Sequence, residues 1–107
     1  MNKEPIIILT TVKDKGEAES MAEALLDNHQ AACVSILSGV QSIYRWNNKI
    51  YHEKEHQLLI KTVQIMEQHV YALIRKLHSY EVPEIMTLPV QSIDTSYKNW
   101  IVGEVSG

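Results

Sequence analysis

Residues Cys33-Val-Ser-Ile-Leu-Ser-Gly-Val-Gln-Ser-Ile-Tyr-Arg-Trp46, then Asn47-Asn48-Lys49, then Ile50-Tyr-His-Glu-Lys-Glu-His-Gln-Leu-Leu-Ile-Lys-Thr62, decide the fold. Val34, Ile36, Val40, Tyr44 and Trp46 share one parity, separated by Ser35, Gln41 and Arg45. A period of two marks a strand. Asn47-Asn48 suits a two-residue turn, because Asn tolerates the positive φ that such turns demand. The region from Ala31 to Thr62 therefore reads as one long β-hairpin. Ser38-Gly39 interrupts the alternation and marks a bulge or kink. Each arm has about 15 residues and spans about 50 Å, whereas a compact domain of this length is about 34 Å across. The tip must overhang its own domain. Carrying Ile43, Tyr44, Trp46, Ile50 and Tyr51, it needs a cover, and the simplest is another copy of the chain.

Upstream, Pro5 opens a strand from Ile6 to Val12 whose unbroken apolar character suits burial on both faces. Asp14-Lys-Gly-Glu17 reads as a capping box, Asp14 capping the helix and Glu17 reaching back. Ala18, Met21, Ala22, Leu25 and Leu26 follow at helical spacing to about His29. Downstream, Met66, Val70, Leu73, Ile74 and Leu77 form the stripe of a second helix ending near His78. Ser79 to Pro83 is a loop, since a residue before proline is pushed out of the helical region. Glu84 to Ile93 reads as a further strand, placed at a sheet edge by Pro89. Asp94 caps a short C-terminal helix carrying Tyr97, Trp100, Ile101 and Val105.

The order strand, helix, strand, strand, helix, strand, helix gives two βαβ halves. The expected fold is α+β: a ferredoxin-like split βαβ sandwich with a long β2-β3 hairpin and a C-terminal helix, one domain over residues 1–107, assembling as a trimer. Right-handed crossovers put both helices on one sheet face, so the other face needs a cover of its own.

The 107 residues are 45% apolar and 21% charged, with a formal net charge of -3, an ordinary soluble composition. There is no basic block with interleaved aromatics, which argues against nucleic acid as a partner. The longest aliphatic runs are too short to span a bilayer, and the N-terminus does not lead into a secretion signal. A single cysteine, Cys33, cannot form an intrachain disulfide, which fits a cytoplasmic location.

His52-Glu-Lys-Glu-His56 matches the zinc-protease pattern, which works only on a helix. On a strand the two histidines lie about 13 Å apart, too far to share a metal. Trp46 can stack on a ligand or pack in an interface. His78 can serve the helix dipole or contact a ligand or metal. A cleft beside the His78-Ser79-Tyr80 loop would be lined by some of Lys61, Tyr80 and Glu84, since loop ends on a rigid scaffold can converge polar groups; if the three do not converge, they are solvated ends. His78 and Glu84 could act as acid and base, but nothing supplies a convincing nucleophile, so no enzymatic activity is expected.

Ala32-Cys-Val34, Tyr44-Arg-Trp-Asn-Asn-Lys-Ile50, Glu55-His-Gln-Leu-Leu-Ile-Lys-Thr62, His78-Ser-Tyr-Glu-Val-Pro-Glu-Ile85 and Tyr97-Lys-Asn-Trp100 resemble the CutA family of divalent-cation tolerance proteins, in order and at matching spacing across the chain. The resemblance implies a cytoplasmic homotrimer linked to copper and other divalent metals, with a fold similar to the trimeric PII signalling proteins. A PII-like regulatory module binding a small molecule between subunits is the alternative it carries. Members with proposed copper ligands use a Cys at the end of the first strand and a His pair at the end of the second helix. The matching positions are Thr10, Leu77 and His78. One ligand type of three is present, so no cofactor is required and copper or another divalent cation would be held weakly, through His78.

Overall fold

The computed structural model describes residues 2–105. The chain runs β1 (Pro5–Val12), α1 (Lys15–Asp27), β2 (Cys33–Trp46), β3 (Lys49–Val63), a 3-10 turn (Gln64–Met66), α2 (Glu67–Leu77), β4 (Met86–Pro89) and α3 (Thr95–Glu104). The strands form one antiparallel sheet in the order β2-β3-β1-β4. Inserting β3 between β1 and β2 is the split βαβ arrangement expected from the element order.

Local chemistry accounts for the helix ends. Asp14 caps α1, its Oδ1 accepting the Glu17 N–H at 2.8 Å. Glu17 does not reach back as a capping box would, because its carboxylate goes to Ser79 instead. At the other end Gln30 N–H bonds the Leu25 carbonyl and His29 N–H that of Leu26, with His29 at φ 55. This is a Schellman ending with histidine in the place usually held by glycine. Ala18, Met21, Ala22 and Leu25 bury the expected stripe, and Val70 and Ile74 do so on α2.

The core lies between the helices and one sheet face. Ile8, Leu58, Ile60, Val70 and Ile74 have no exposed surface, and Ile101 and Val105 of the C-terminal segment join the same cluster. Burying side chains of this kind contributes about 1.5–3 kcal/mol each. The opposite face carries Ile7, Leu9 and Leu59, half-buried, with Leu37, Met86 and Leu88 exposed. No helix covers it.

The hairpin turns at Asn47 and Asn48, at φ 51 and 64, and runs past the rest of the sheet. β1 accompanies β3 only as far as His56. Beyond that point β2 and β3 have only each other, and the molecule measures 44 × 26 × 22 Å. Ile43, Trp46 and Ile50 are each more than half exposed.

Two expectations are corrected. The bulge is where Ser38-Gly39 places it, with Gly39 at φ 75, and it sets two residues of β2 opposite His56 alone. One extra residue flips the alternation. Val34 and Ile36 therefore face the helices, while Val40, Tyr44 and Trp46 face the open side, despite their common parity. The fourth strand is shorter than Glu84 to Ile93. It pairs with β1 only along Ile6–Leu9, because past Leu9 the carbonyls of Thr10 and Thr11 are taken by the side chains of Gln57 and His78, and past Pro89 the chain leaves the edge.

Candidate functional site

A helix that follows a strand turns back along it, so α2 carries its C-terminus away from the end of β3. It stops at the far end of β1, beside the start of α1. His78 is the last residue of this approach, in extended conformation at ψ 138, and its side chain is fully buried. The ring Nε2–H donates to the Thr11 carbonyl at 2.7 Å. Nδ1 accepts the Tyr80 N–H at 3.0 Å. An N–H can be accepted only by an unprotonated nitrogen, so this bonding holds one neutral tautomer. The Glu17 carboxylate lies 3.7 Å from Nδ1 and accepts both the N–H and the hydroxyl of Ser79, each at 2.9 Å.

Tyr80 folds beside His78, with ring centroids 4.8 Å apart, and its hydroxyl donates to Glu55 at 2.8 Å. Burial, then the Glu55 carboxylate, push the Tyr80 hydroxyl well above the usual tyrosine range. Glu55 is only 7% exposed although it sits on the open sheet face. Further along, Gln57 Nε2 donates to Glu84 and to the Thr10 carbonyl, both at 3.1 Å. The loop is thus tied to α1 through Glu17, to β1 through Thr11, and to β3 through Glu55 and Gln57.

Tyr80 and Glu84 are therefore brought to neighbouring positions along β3. Lys61 is not. It stands two same-face positions beyond Gln57, bonded to Ser35 Oγ at 3.0 Å and to Cys33 Sγ at 3.9 Å. The direction of α2 leaves the end of β3 and the end of α2 at opposite ends of the sheet, so of the three residues Lys61 is the one set apart from the loop. Trp46 is at the hairpin tip, 53% exposed. Ser38 Oγ bonds His56 Nδ1 at 3.0 Å within the strand, and the strand assignment removes the zinc-protease reading of His52 and His56.

The residues at the proposed copper positions do not make a metal site. Thr10 is buried, facing the core. Leu77 carries no donor atom. Both nitrogens of His78 are already bonded inside the fold, so a metal there would have to displace the Thr11 or Tyr80 bond. Among the described residues no group of three or more His, Cys, Asp and Glu side chains is gathered for a cation. Glu17, Glu55 and Gln57 were missed as partners of the loop. Asp14 to Glu17 signalled only a cap, and nothing local points from Glu55 to Tyr80.

Beside the loop, on the outer side of α2, lies an open cleft of ≈ 360 Å³ lined by Tyr71, Arg75, Tyr80, Glu81, Val82, Pro83 and Ile85. Arg75 sits over the Tyr71 ring, 5.6 Å from its centre, and the Tyr71 hydroxyl bonds Thr87 Oγ1 at 2.9 Å.

The family model described as CutA1 divalent ion tolerance protein matches residues 6–104. A divalent-cation tolerance protein CutA from Pectobacterium atrosepticum is 35% identical over 96 residues, covering 90% of this chain and 87% of the relative. Among solved structures, CutA from Xylella fastidiosa superposes with a TM-score of 0.94 at 34% identity, over 96% of this chain and 99% of that one. The periplasmic divalent cation tolerance protein CutA from Archaeoglobus fulgidus gives 0.92 at 29%, over 95% and 99%.

Proposed function

The chain belongs to the CutA1 divalent ion tolerance family, and from that premise we propose that it acts as a non-enzymatic, cytoplasmic homotrimer supporting tolerance to divalent metal ions, copper first among them. The family match along residues 6–104 carries this reading. Assembly is supported by the apolar open face and by a hairpin whose distal half pairs with no further strand among the described residues, since exposed strand ladders of this kind are usually covered. Any contact with the metal is weak, because His78 offers no free nitrogen and a lone imidazole is a poor site. The same bonding argues against His78 as a general base, and Glu84 is engaged by Gln57. Cys33 is a free thiol, which suits a reducing compartment; cell fractionation tests the location.

The experiment for the function is growth of cells lacking the chain on graded copper, zinc and cadmium. Sensitivity to copper, restored by the intact chain and by a His78→Gln variant, is the expected result. Unchanged growth on every metal would sink the reading.

A second reading is a PII-like regulatory module that binds a small molecule at clefts between subunits. It is favoured by the loop network of His78, Tyr80 and Glu84, which reaches Glu55, the first residue of β3 past the end of its pairing with β1. A ligand that binds only the folded state raises its melting temperature, so thermal shift with nucleotides and metabolites tests it.

A further inference from the structure

We propose that the cleft between α2 and the Tyr80–Ile85 segment binds a small zwitterion with an apolar body, an α-amino acid in size and charge pattern. The proposal goes beyond cation tolerance. It rests on the small-molecule reading and deepens it, but places the site within one protomer.

Two side chains of opposite charge line the cleft, Arg75 and Glu81. They do not neutralise one another: among the described residues neither Arg75 nor Glu81 has an oppositely charged group within 4.0 Å. Both charges are therefore free to meet a ligand. A ligand carrying a carboxylate and an ammonium a few bonds apart complements them; a simple anion or cation leaves one of them opposed. Arg75 is suited to the carboxylate, which its planar fork can bind through two hydrogen bonds. Its place is restricted, because it lies over Tyr71 and Tyr71 is itself tethered to β4 through Thr87. A donor held in position before binding loses less freedom on binding.

The remaining wall is apolar, made by Val82, Pro83, Ile85 and the Tyr71 ring. Val82 is 69% exposed among the described residues. The volume of ≈ 360 Å³ is at the low end of the range of about 300–1,000 Å³ for small-molecule sites. That admits an amino acid and is tight for a nucleotide, whose phosphates would also call for more than one cation. The outer wall is built into the fold, since Ser79, Tyr80 and Glu84 are each bonded to elements distant in sequence.

The test is a titration of isotope-labelled protein with L-phenylalanine and L-leucine, followed through backbone amide shifts. Saturable shifts clustered at residues 71–85 are expected. 3-Phenylpropionate, lacking the ammonium, and phenethylamine, lacking the carboxylate, should each bind about tenfold more weakly or worse. Arg75→Gln and Glu81→Gln should each weaken phenylalanine by a similar factor. Both side chains are exposed, so unchanged far-ultraviolet dichroism will show that folding is kept. The proposal is overturned if neither amino acid shifts these amides up to about 10 mM, if the shifts lie elsewhere, or if the truncated analogues or both variants bind as well as the parent pair. If amino acids fail but a nucleotide raises the melting temperature, the cleft assignment falls and the small-molecule reading stands. If neither class of ligand has any effect, both fall.

Discussion

The base and the tip of the hairpin are the same two strands in one ladder, yet they live in different surroundings. At the base, Val34 and Ile36 pair with Ile60 and Leu58, with β1 alongside and helices above. At the tip, Tyr44 pairs with Tyr51, their rings stacked 5.6 Å apart, and no third strand or helix follows. The same kind of alternating sequence thus builds a core in one half and a surface in the other. Periodicity reports a strand; it does not report what lies on either side of it.

The largest effect expected from this contrast is at the base. Leu58→Ala, at a position with no exposed surface, should lower stability by about 2–5 kcal/mol in urea unfolding. Ile43→Ala at the tip, 60% exposed, should change protomer stability by about 0.5 kcal/mol or less. Equal losses would erase the distinction between the halves. The tip is sharpened by association instead: Tyr44→Ala with Trp46→Ala should shift mass in light scattering toward monomer or aggregate, since interface anchors of this type commonly contribute about 2 kcal/mol or more each. A parent that is monomeric at micromolar concentration would break that half of the comparison.

Between base and tip, Tyr80→Phe removes the hydroxyl that donates to the buried Glu55 and should cost about 1–3 kcal/mol. It should also alter the alkaline limb. The native state retains a Tyr80 proton that the unfolded chain gives up near about pH 10. That contribution is intact below this pH and is lost as pH rises toward the higher folded value, so the variant should show a shallower alkaline loss in pH-dependent unfolding. At the junction the effect should fall between those of Leu58→Ala and Ile43→Ala. An added Cβ at Gly39 meets nothing within 4 Å, so Gly39→Ala should cost only the backbone strain of φ 75, about 1–2 kcal/mol. A much larger loss would mean that the bulge is also packed against something.

Features written in neighbouring residues were legible. Asn47-Asn48, Ser38-Gly39 and Asp14 each act over a few positions, and each sits where its chemistry requires. Element order was enough for the sheet. The errors arose where a local feature has a distant consequence. Ser38-Gly39 marks the bulge, but the flip of Tyr44 and Trp46 to the other face depends on how many residues the bulge adds opposite His56. Lys61 and Tyr80 are close in element order but not in space, because α2 runs back along the sheet from the end of β3. Glu17 was read as half of a local box, whereas its carboxylate is taken by Ser79, 62 residues away. The His78, Tyr80 and Glu84 loop was legible as a polar cluster; its ties to Glu55 and Gln57 depend on the register of a sheet that no single stretch encodes.

Those ties also set a time order. The bonds that pin the loop span 67 residues from Thr11 to His78, 62 from Glu17 to Ser79, 27 from Gln57 to Glu84 and 25 from Glu55 to Tyr80. Contacts so far apart along the chain must wait until β1, α1 and β3 are already together, because the entropy of closing such long segments is lost before any bond repays it. The loop is therefore a late arrival in folding. Interactions formed after the rate-limiting step govern how fast the native state opens rather than how fast it forms. The cleft wall should thus be completed only after the sheet it leans on, and its opening should precede the loss of that sheet.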